Sequence, residues 1–348
     1  MFVPPEFHPS RQGIVSPVRV DRRGLEGPTQ AQARGREWRR SSRGFYLPSW
    51  ADADRVEQRI VEAAVILPGY GGVTGWAMLG WAGDRWFEGR HGSGVLRDVT
   101  LAIAGLNVRE RPGVSVSKER LEPADLTEID GLRVTTAVRS VCFEMRYAPS
   151  LLAAVTVLDM AAYADLVSVE ELTAYALAHP GWTGIPRCRD AIPYAEENAW
   201  SPTEVEMRWI WTVEAGFSRP LCNRPVFDRA GRHLGTPDLI DPVAGVVGEY
   251  EGSLHLAGKR RARDLERESD FRSVGLEYVT MVTQDRRDHS SFIERLNDTY
   301  SRARFEAEAV RRWTLEPPAR WIPTFTVDQR RELDEVQRAR LLRYRRAG

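Results

Sequence analysis

Apolar residues recur at helical spacing in several stretches of the N-terminal half of the chain, with short alternating stretches between them. The helical spacing predicts helices over 54–67, near 74–81, over 150–164 and over 168–179. A further helix is predicted after residue 136, ending at Arg146. Alternation of apolar and polar positions predicts two strands within 96–116 and one at 132–136, after the Asp130-Gly131 turn. Residues 180–198 are rich in proline and glycine and are predicted to be a linker.

After this linker the pattern changes to short strands followed by helices. Ser201-Pro202-Thr203-Glu204 is a typical helix start, and apolar residues follow at helical spacing up to Gly216. A meander of three strands is predicted next, at 223–227, 234–240 and 243–250. It is followed by a charged helix at 256–274, an apolar strand at 276–282 and a last helix at 290–304. The predicted order is therefore α-β-β-β-α-β-α, and a further helix is expected at 328–345 as a packing arm or an oligomer contact.

The length and these patterns together predict several domains in one chain. At 348 residues the chain is long enough for two or three domains, each with its own core. We place the predicted regions at 1–50, 51–198, 199–305 and 306–348. The fold class is predicted as α/β, or α+β overall, with a mixed α/β region upstream of the α-β-β-β-α-β-α domain.

Charge changes this picture only locally. The whole chain has 49 Lys and Arg against 49 Asp and Glu, so net charge neither supports nor excludes a nucleic-acid partner. Residues 1–48 carry nine arginines against four acids, a local net charge of +5. A helix is predicted to start at Pro28 and a two-stranded wing to span 38–48, which favours a winged helix that binds DNA through Arg39, Arg40 and Arg43. The alternative is a small helical cap whose arginines are simply solvated.

The cysteines and the apolar stretches bear on location. Cys142, Cys188 and Cys222 are odd in number and far apart, which fits neither a disulfide framework nor clustered zinc ligands and predicts a reducing cytoplasm. Residues 1–17 lack the apolar core of a secretion signal. The uncharged stretch 63–83 contains a proline and six glycines, so we expect buried core there and no contact with a membrane.

Three acids in the C-terminal region are candidates for chemistry. Asp238 is predicted within one strand and Glu249 near the end of the next, so a meander brings both carboxylates to one edge of the sheet. Glu204, at the start of the preceding helix, completes the set. Buried carboxylates are costly without compensation, and Mg²⁺ or Mn²⁺ is a usual one in phosphodiester cleavage. The alternative is an exposed acidic strand end.

These residues also carry a resemblance. Pro237-Asp238 followed by Glu249-x-Glu251 resembles the core motif of PD-(D/E)XK nucleases. The longer run from Ser201-Pro-Thr-Glu204 through Gly252 to His255, Asp264, Arg267 and Gly275 is similar to an actinobacterial domain family related to very-short-patch-repair endonucleases. Arg43-Gly44-Phe45-Tyr46-Leu47-Pro48 and residues 135–140 resemble the AbiEi-antitoxin-like winged-helix region that proteins of that group often carry. The resemblance implies a restriction-endonuclease-like core and DNA as partner.

The match departs from the nuclease motif at one important position. Glu251 occupies the place of the nuclease lysine, and the only lysine nearby is Lys259. His255 is a candidate general acid or base, with a hydrogen-bonding structural role as its alternative. Arg263 and Arg267 are candidate phosphate contacts, although acids between them also allow ion pairs within the helix.

Two functions follow as hypotheses. The first is a Mg²⁺- or Mn²⁺-dependent DNA endonuclease in which Glu204, Asp238 and Glu249 bind the metal, Glu251 joins them or orients water, and His255 transfers a proton. The second is a non-catalytic DNA-binding regulator with a degenerate nuclease fold, which in an antitoxin-like setting has a toxin as its partner.

Overall fold

The computed structural model describes residues 2–252 and 259–346. It contains helices and both mixed and antiparallel sheets, which confirms the α+β class. The chain divides into two compact units, one formed by 1–147 with 174–185 and the other by 148–173 with 186–348. This division assigns 148–173 to the C-terminal unit, so it does not follow the four regions drawn from sequence, which stay a prediction.

The N-terminal unit contains a hairpin and a five-stranded mixed sheet. Its strands are β1 (Trp38–Ser42), β2 (Phe45–Pro48), β3 (Gly72–Thr74), β4 (Val99–Ala102), β5 (Val114–Ser117), β6 (Leu126–Ile129) and β7 (Leu132–Thr135). Strands β1 and β2 pair antiparallel, and the sheet order is β5-β4-β3-β7-β6. Helices α1 (Val56–Ala64), α2 (Trp76–Trp81) and α3 (Ala137–Arg146) also belong to this unit.

The C-terminal unit contains two sheets instead of one meander. Its strands are β8 (Leu221–Cys222), β9 (Val226–Asp228), β10 (His233–Gly235), β11 (Leu239–Asp241), β12 (Val246–Glu251), β13 (Glu277–Val282) and β14 (Trp313–Thr314). One sheet has the order β13-β12-β11-β8 and the other β10-β9-β14. Strands β12 and β13 are parallel, and the other pairs are antiparallel.

The helices of the later part of the chain, in order, are α4 (Leu151–Tyr163), α5 (Val169–Ala178), α6 (Ile185–Ala191), α7 (Pro202–Trp209), α8 (Lys259–Ser273), α9 (Ser290–Arg302), α10 (Val327–Arg331) and α11 (Glu335–Leu341). A five-residue π-helical segment, Ile210–Glu214, continues α7. Helix α8 connects the parallel strands β12 and β13, as a parallel pair requires.

Apolar side chains fill both faces of the four-stranded sheet. On one face Ile240 and Val247 pack with Phe271 of α8 in a buried cluster. On the other face Trp211 approaches Gly248 so closely that a Cβ there would lie 2.7 Å from the indole ring. The Trp211 indole N–H donates to the hydroxyl of Tyr300 on α9 (2.9 Å). The missing side chain of Gly248 therefore allows the π-helical segment to lie directly on the sheet.

Several sequence predictions need correction. The helix expected at Pro28 is wrong, because 28–34 contains only a 3-10 turn (Gln32–Arg34), and the described residues 2–50 contain no α-helix. The predicted strand 234–240 is broken at 236–238, where Pro237 has no N–H to give to a ladder. The predicted linker 180–198 contains α6. The predicted tail helix is interrupted before Asp334, which caps α11 by accepting from the amide of Gln337.

The C-terminal tail packs against its own unit, and one carboxylate there binds three of its arginines. Asp165, just after α4, accepts hydrogen bonds from Arg330 (2.6 Å), Arg338 (2.9 Å) and Arg345 (2.7 Å). Arg330 is 1% exposed and also donates to the backbone carbonyl of Ala162. These contacts agree with the predicted packing arm, and the predicted oligomer contact stays a prediction. Of the helices in the described residues, none has the length and apolar character needed to cross a membrane.

Candidate functional site

Helix α7 holds Glu204 in a buried capping arrangement. The hydroxyl of Ser201, the N-cap residue, accepts from the Glu204 amide (3.2 Å) and donates to one oxygen of its carboxylate (2.9 Å). The other oxygen accepts from the Trp200 amide (2.8 Å) and from the side-chain amide of Asn223 (2.6 Å). Glu204 is only 7% exposed, so the carboxylate predicted from sequence lies inside the unit and is fixed by three donors.

A buried ion pair joins helix α7 to helix α4. The Arg208 guanidinium donates to Asp159 of α4 (2.5 Å), and also to the Cys222 thiol and the Tyr194 carbonyl. Burial raises the pKa of Asp159 to about 6, although Arg208 acts in the opposite direction. Since Arg208 has two further acceptors, we assign it the charged form. The pair sets the position of α7 and thereby of Glu204.

Asp238 and Glu249 lie at one edge of the four-stranded sheet. Asp238 immediately precedes β11 and is not within a strand, which corrects the sequence prediction. Antiparallel pairing of Leu239 with Gly248 places Asp238 next to Glu249 in the register. The backbone amide of Tyr250 donates to the Asp238 carboxylate (2.8 Å), which keeps the two acids adjacent despite the break in the strand.

The electrostatics of Glu204 and Asp238 are linked. Burial raises the pKa of Glu204 to about 8, and the negative charge of Asp238 contributes in the same direction. Burial also raises the pKa of Asp238, opposed by the Tyr250 amide and by Arg267. The Asp238 charge therefore disfavours the charged form of the buried Glu204, and such shifted acids are frequent at functional sites.

Glu249 has a different environment. It is 6% exposed and forms an ion pair with Arg267 of α8. The Tyr278 hydroxyl also hydrogen-bonds to it, and burial followed by the Glu249 charge raises the pKa of that tyrosine. Arg267, predicted as a phosphate contact, thus forms an ion pair with the Glu249 carboxylate in the structure.

The other predicted site residues are dispersed. Glu251 is exposed at the end of β12. His255 lies outside the described residues, and for Lys259 and Arg263 only the backbone position on α8 is described. In the N-terminal unit Arg39 is bound by Glu62 (2.9 and 2.5 Å) and the Ala51 carbonyl, whereas Arg40 and Arg43 are exposed on the β1–β2 hairpin.

Asn223 is a site residue that sequence reasoning missed. It is 2% exposed, has φ +48°, and donates to the Asn198 carbonyl (2.8 Å) as well as to Glu204. Its side-chain oxygen is buried and has no hydrogen-bond partner among the described residues. The available signal was an asparagine in a turn before Pro225, since asparagine tolerates the left-handed conformation.

The candidate metal ligands do not form a complete cluster. In the part of the chain that the structure describes, no group of three or more His, Cys, Asp or Glu side chains is arranged to hold a metal ion. The predicted Mg²⁺ or Mn²⁺ site made by Glu204, Asp238 and Glu249 therefore stays a prediction. The donor chemistry still suits Mg²⁺, which takes one or two protein carboxylates together with waters and substrate oxygens.

Comparison with known proteins gives distant relatives of unassigned function. Two uncharacterized proteins of Mycobacterium tuberculosis, MT2308 of strain CDC 1551 and Rv2248 of strain H37Rv, are each 26% identical to the chain over 209 residues. The match covers 59% of this chain and 76% of each relative. No family model matches the chain, and no solved structure matches it significantly.

Proposed function

We propose that the protein is a divalent-cation-dependent endonuclease-like enzyme that hydrolyses phosphodiester bonds in DNA. The observation that carries the proposal is the buried Glu204 carboxylate, whose pKa is raised to about 8 by burial and by Asp238 at the sheet edge beside Glu249. A buried acid whose ionisation is opposed by a neighbouring carboxylate suits a site that binds a cation, because a cation compensates that repulsion. The sheet supports the proposal, since antiparallel β11 and β12 continue through α8 to parallel β13.

Each residue has a proposed part. Asp238 with Glu204 would hold Mg²⁺ or Mn²⁺ together with waters and substrate oxygens, and Glu249 would add a third carboxylate beside them from its ion pair with Arg267. The cation would stabilise negative charge on the scissile phosphate. Arg267 forms an ion pair with Glu249 and orients it, and Glu251, exposed at the strand end, would orient the attacking water. Water would add to phosphorus as one ester P–O bond breaks, and the leaving alkoxide would take up a proton equivalent to the one that the water loses. His255 stays the predicted carrier of that proton.

The chain itself offers a sharp test. Asp238→Asn should abolish metal-dependent nicking of supercoiled plasmid, because it removes the charge opposite Glu204 while preserving the acceptor for the Tyr250 amide. Asp298→Asn, an exposed acid on α9, is the matched control and should nick as wild type does. Circular dichroism and thermal unfolding establish that both variants are folded. Undiminished nicking by Asp238→Asn would remove Asp238 from the mechanism.

One observation favours a second function, a non-catalytic DNA-binding regulator. Glu251 stands where the resembling nucleases have lysine, so the described edge of the sheet offers an acid in its place. The exposed Arg40 and Arg43 of the hairpin would then contact DNA, and a toxin would be a partner in an antitoxin-like setting. Duplex binding that is unaffected by Mg²⁺ or Mn²⁺, together with absent nicking, is the result that would select this function.

We also propose a reducing, cytoplasmic location. All three cysteines are buried thiols, including Cys222 beside Arg208, and burial raises the pKa of the Cys222 thiol. A protonated, buried thiol reacts slowly and needs no disulfide partner.

A further inference from the structure

A cavity of about 450 Å³ shares wall residues with the candidate site in the C-terminal unit. Trp200 and Asn223, which both donate to the Glu204 carboxylate, line it, and so does Thr236, two residues before Asp238. The tail segments 320–325 and 340–344 form most of the remaining wall. The volume lies within the range of about 300–1,000 Å³ that is typical of small-molecule sites.

Aromatic side chains give the cavity flat apolar walls. Trp200 and Tyr344 stack with ring centroids 4.0 Å apart and planes inclined by 17°. Trp321 is half-buried and packs edge-on against Phe227, with ring centroids 5.0 Å apart. Nucleic-acid bases stack on such rings with little dependence on base identity.

The charged residues of the cavity are all positive. Arg320, Arg340 and Arg343 are exposed and line it, and the lining contains no acid. Among the residues that the structure describes, none of the three arginines has an ion-pair or hydrogen-bond partner, in contrast to Arg330, Arg338 and Arg345 on Asp165. Guanidinium groups without a partner beside aromatic walls match a phosphate linked to a base.

We propose that this cavity binds one nucleotide of a single DNA strand, with the base against the aromatic wall and its phosphate at Arg340 and Arg343. The strand would then pass Asn223 to place the neighbouring phosphate at Glu204 and Asp238. The inference rests on the proposed function and states how that site would hold its substrate. The tail is thereby a substrate-binding element as well as a packing arm.

The test is fluorescence anisotropy of the full chain with a fluorescein-labelled single-stranded oligonucleotide of about 12 nucleotides in EDTA, so that no cleavage occurs. Arg340→Ala/Arg343→Ala should weaken binding more than about tenfold at low salt. It should also reduce the slope of log K against log salt by about 0.7, because the two arginines share one phosphate and each phosphate contact to a single strand contributes about 0.7. Arg109→Ala/Arg312→Ala, which removes two exposed arginines outside the cavity, should bind as wild type does.

The stacking part has its own variants. Trp321→Ala should weaken binding roughly 5- to 100-fold, whereas Trp321→Phe should remain within about threefold of wild type, because it keeps an aromatic ring. Thermal unfolding of Trp321→Ala distinguishes the loss of base stacking from the loss of the folded state. The inference is overturned if wild type binds no strand, if both arginine pairs lose affinity equally, or if free deoxyadenosine monophosphate displaces the strand at equal molar concentration.

The outcome is separable from that of the proposed function. Asp238→Asn should bind the oligonucleotide at least as tightly as wild type in EDTA, because a negative charge beside the phosphate is removed, even though it does not nick plasmid. Cavity-dependent strand binding without any nicking by wild type would sustain the cavity and reject the enzyme. If Arg340→Ala/Arg343→Ala nicks plasmid as wild type does, the enzyme is sustained and the cavity is rejected as its substrate site.

Discussion

The linked acids Glu204 and Asp238 make the stability of the protein depend on pH in an unusual direction. The ordinary pKa of a glutamic acid is 4.5, and burial together with Asp238 raises that of Glu204 to about 8. Between these two values the folded chain holds a proton that the unfolded chain has released. The free energy of unfolding should therefore fall as pH rises through this window, whereas a carboxylate with a lowered pKa gives the opposite slope.

The structure sets the size of the effect. One proton of difference corresponds to about 1.4 kcal/mol for each pH unit, so the whole window amounts to a loss on the order of 4 to 5 kcal/mol. Glu204→Gln should remove this slope with little other change. The amide oxygen of glutamine accepts from Trp200 and Asn223 as the carboxylate oxygen does, and its NH₂ group faces the Ser201 hydroxyl.

Urea denaturation of wild type and Glu204→Gln, from about pH 5 to about pH 8, measures the difference directly. Mg²⁺ present at 100 times its dissociation constant should raise wild-type stability at the alkaline end by about 2.7 kcal/mol, because it binds the charged acids of the folded state. Glu204→Gln should gain less. The same pH slope in both proteins would refute the linkage, and an equal gain from Mg²⁺ would place the cation elsewhere.

Two further predictions concern the packing behind the site, both measured by urea denaturation. Asp159→Ala should lower the free energy of unfolding by about 3–5 kcal/mol, because it leaves the buried Arg208 charge uncompensated. The double variant Asp159→Leu/Arg208→Met should lower it clearly less than the sum of the two single changes. Additive losses would contradict a coupled pair. Gly248→Ala should cost about 1–3 kcal/mol through its clash with Trp211, while Gly69→Ala, whose Cβ meets no atom within 4 Å, should cost little. Equal costs would contradict the close packing on Gly248.

Much of the helical structure was predictable because local signals and burial agree. The spacing that predicts a helix over 150–164 corresponds to α4, and Ser150 caps it by accepting from the Ala153 amide. The errors arise where local signals compete. Pro237 breaks an alternating apolar pattern that otherwise predicts one long strand, and Asp334 begins a new helix within a continuous helical pattern.

The candidate site was predictable only as far as strand pairing extends. A meander is enough to bring Asp238 beside Glu249, because antiparallel register follows from the turn between the strands. The Asn223 bond to Glu204 joins a turn to a helix start, and the Arg267 bond to Glu249 joins a helix to a strand. Such contacts depend on how elements pack in three dimensions, and no spacing in the sequence specifies them.

The position of Arg267 narrows what a catalytic mechanism at this site requires. The resembling nucleases have a lysine two residues after the glutamate, whereas this chain has the exposed acid Glu251 there and a guanidinium from α8 on Glu249. A guanidinium stabilises negative charge but stays protonated near neutral pH. Arg267 can therefore replace a lysine only in its electrostatic role and not in proton transfer. The proton must therefore be moved by another group. His255 stays the predicted proton carrier. Glu204, whose pKa is raised to about 8 by burial and by Asp238, must lose its proton before it can bind the cation, and this is why its titration is the decisive measurement for the proposed enzyme.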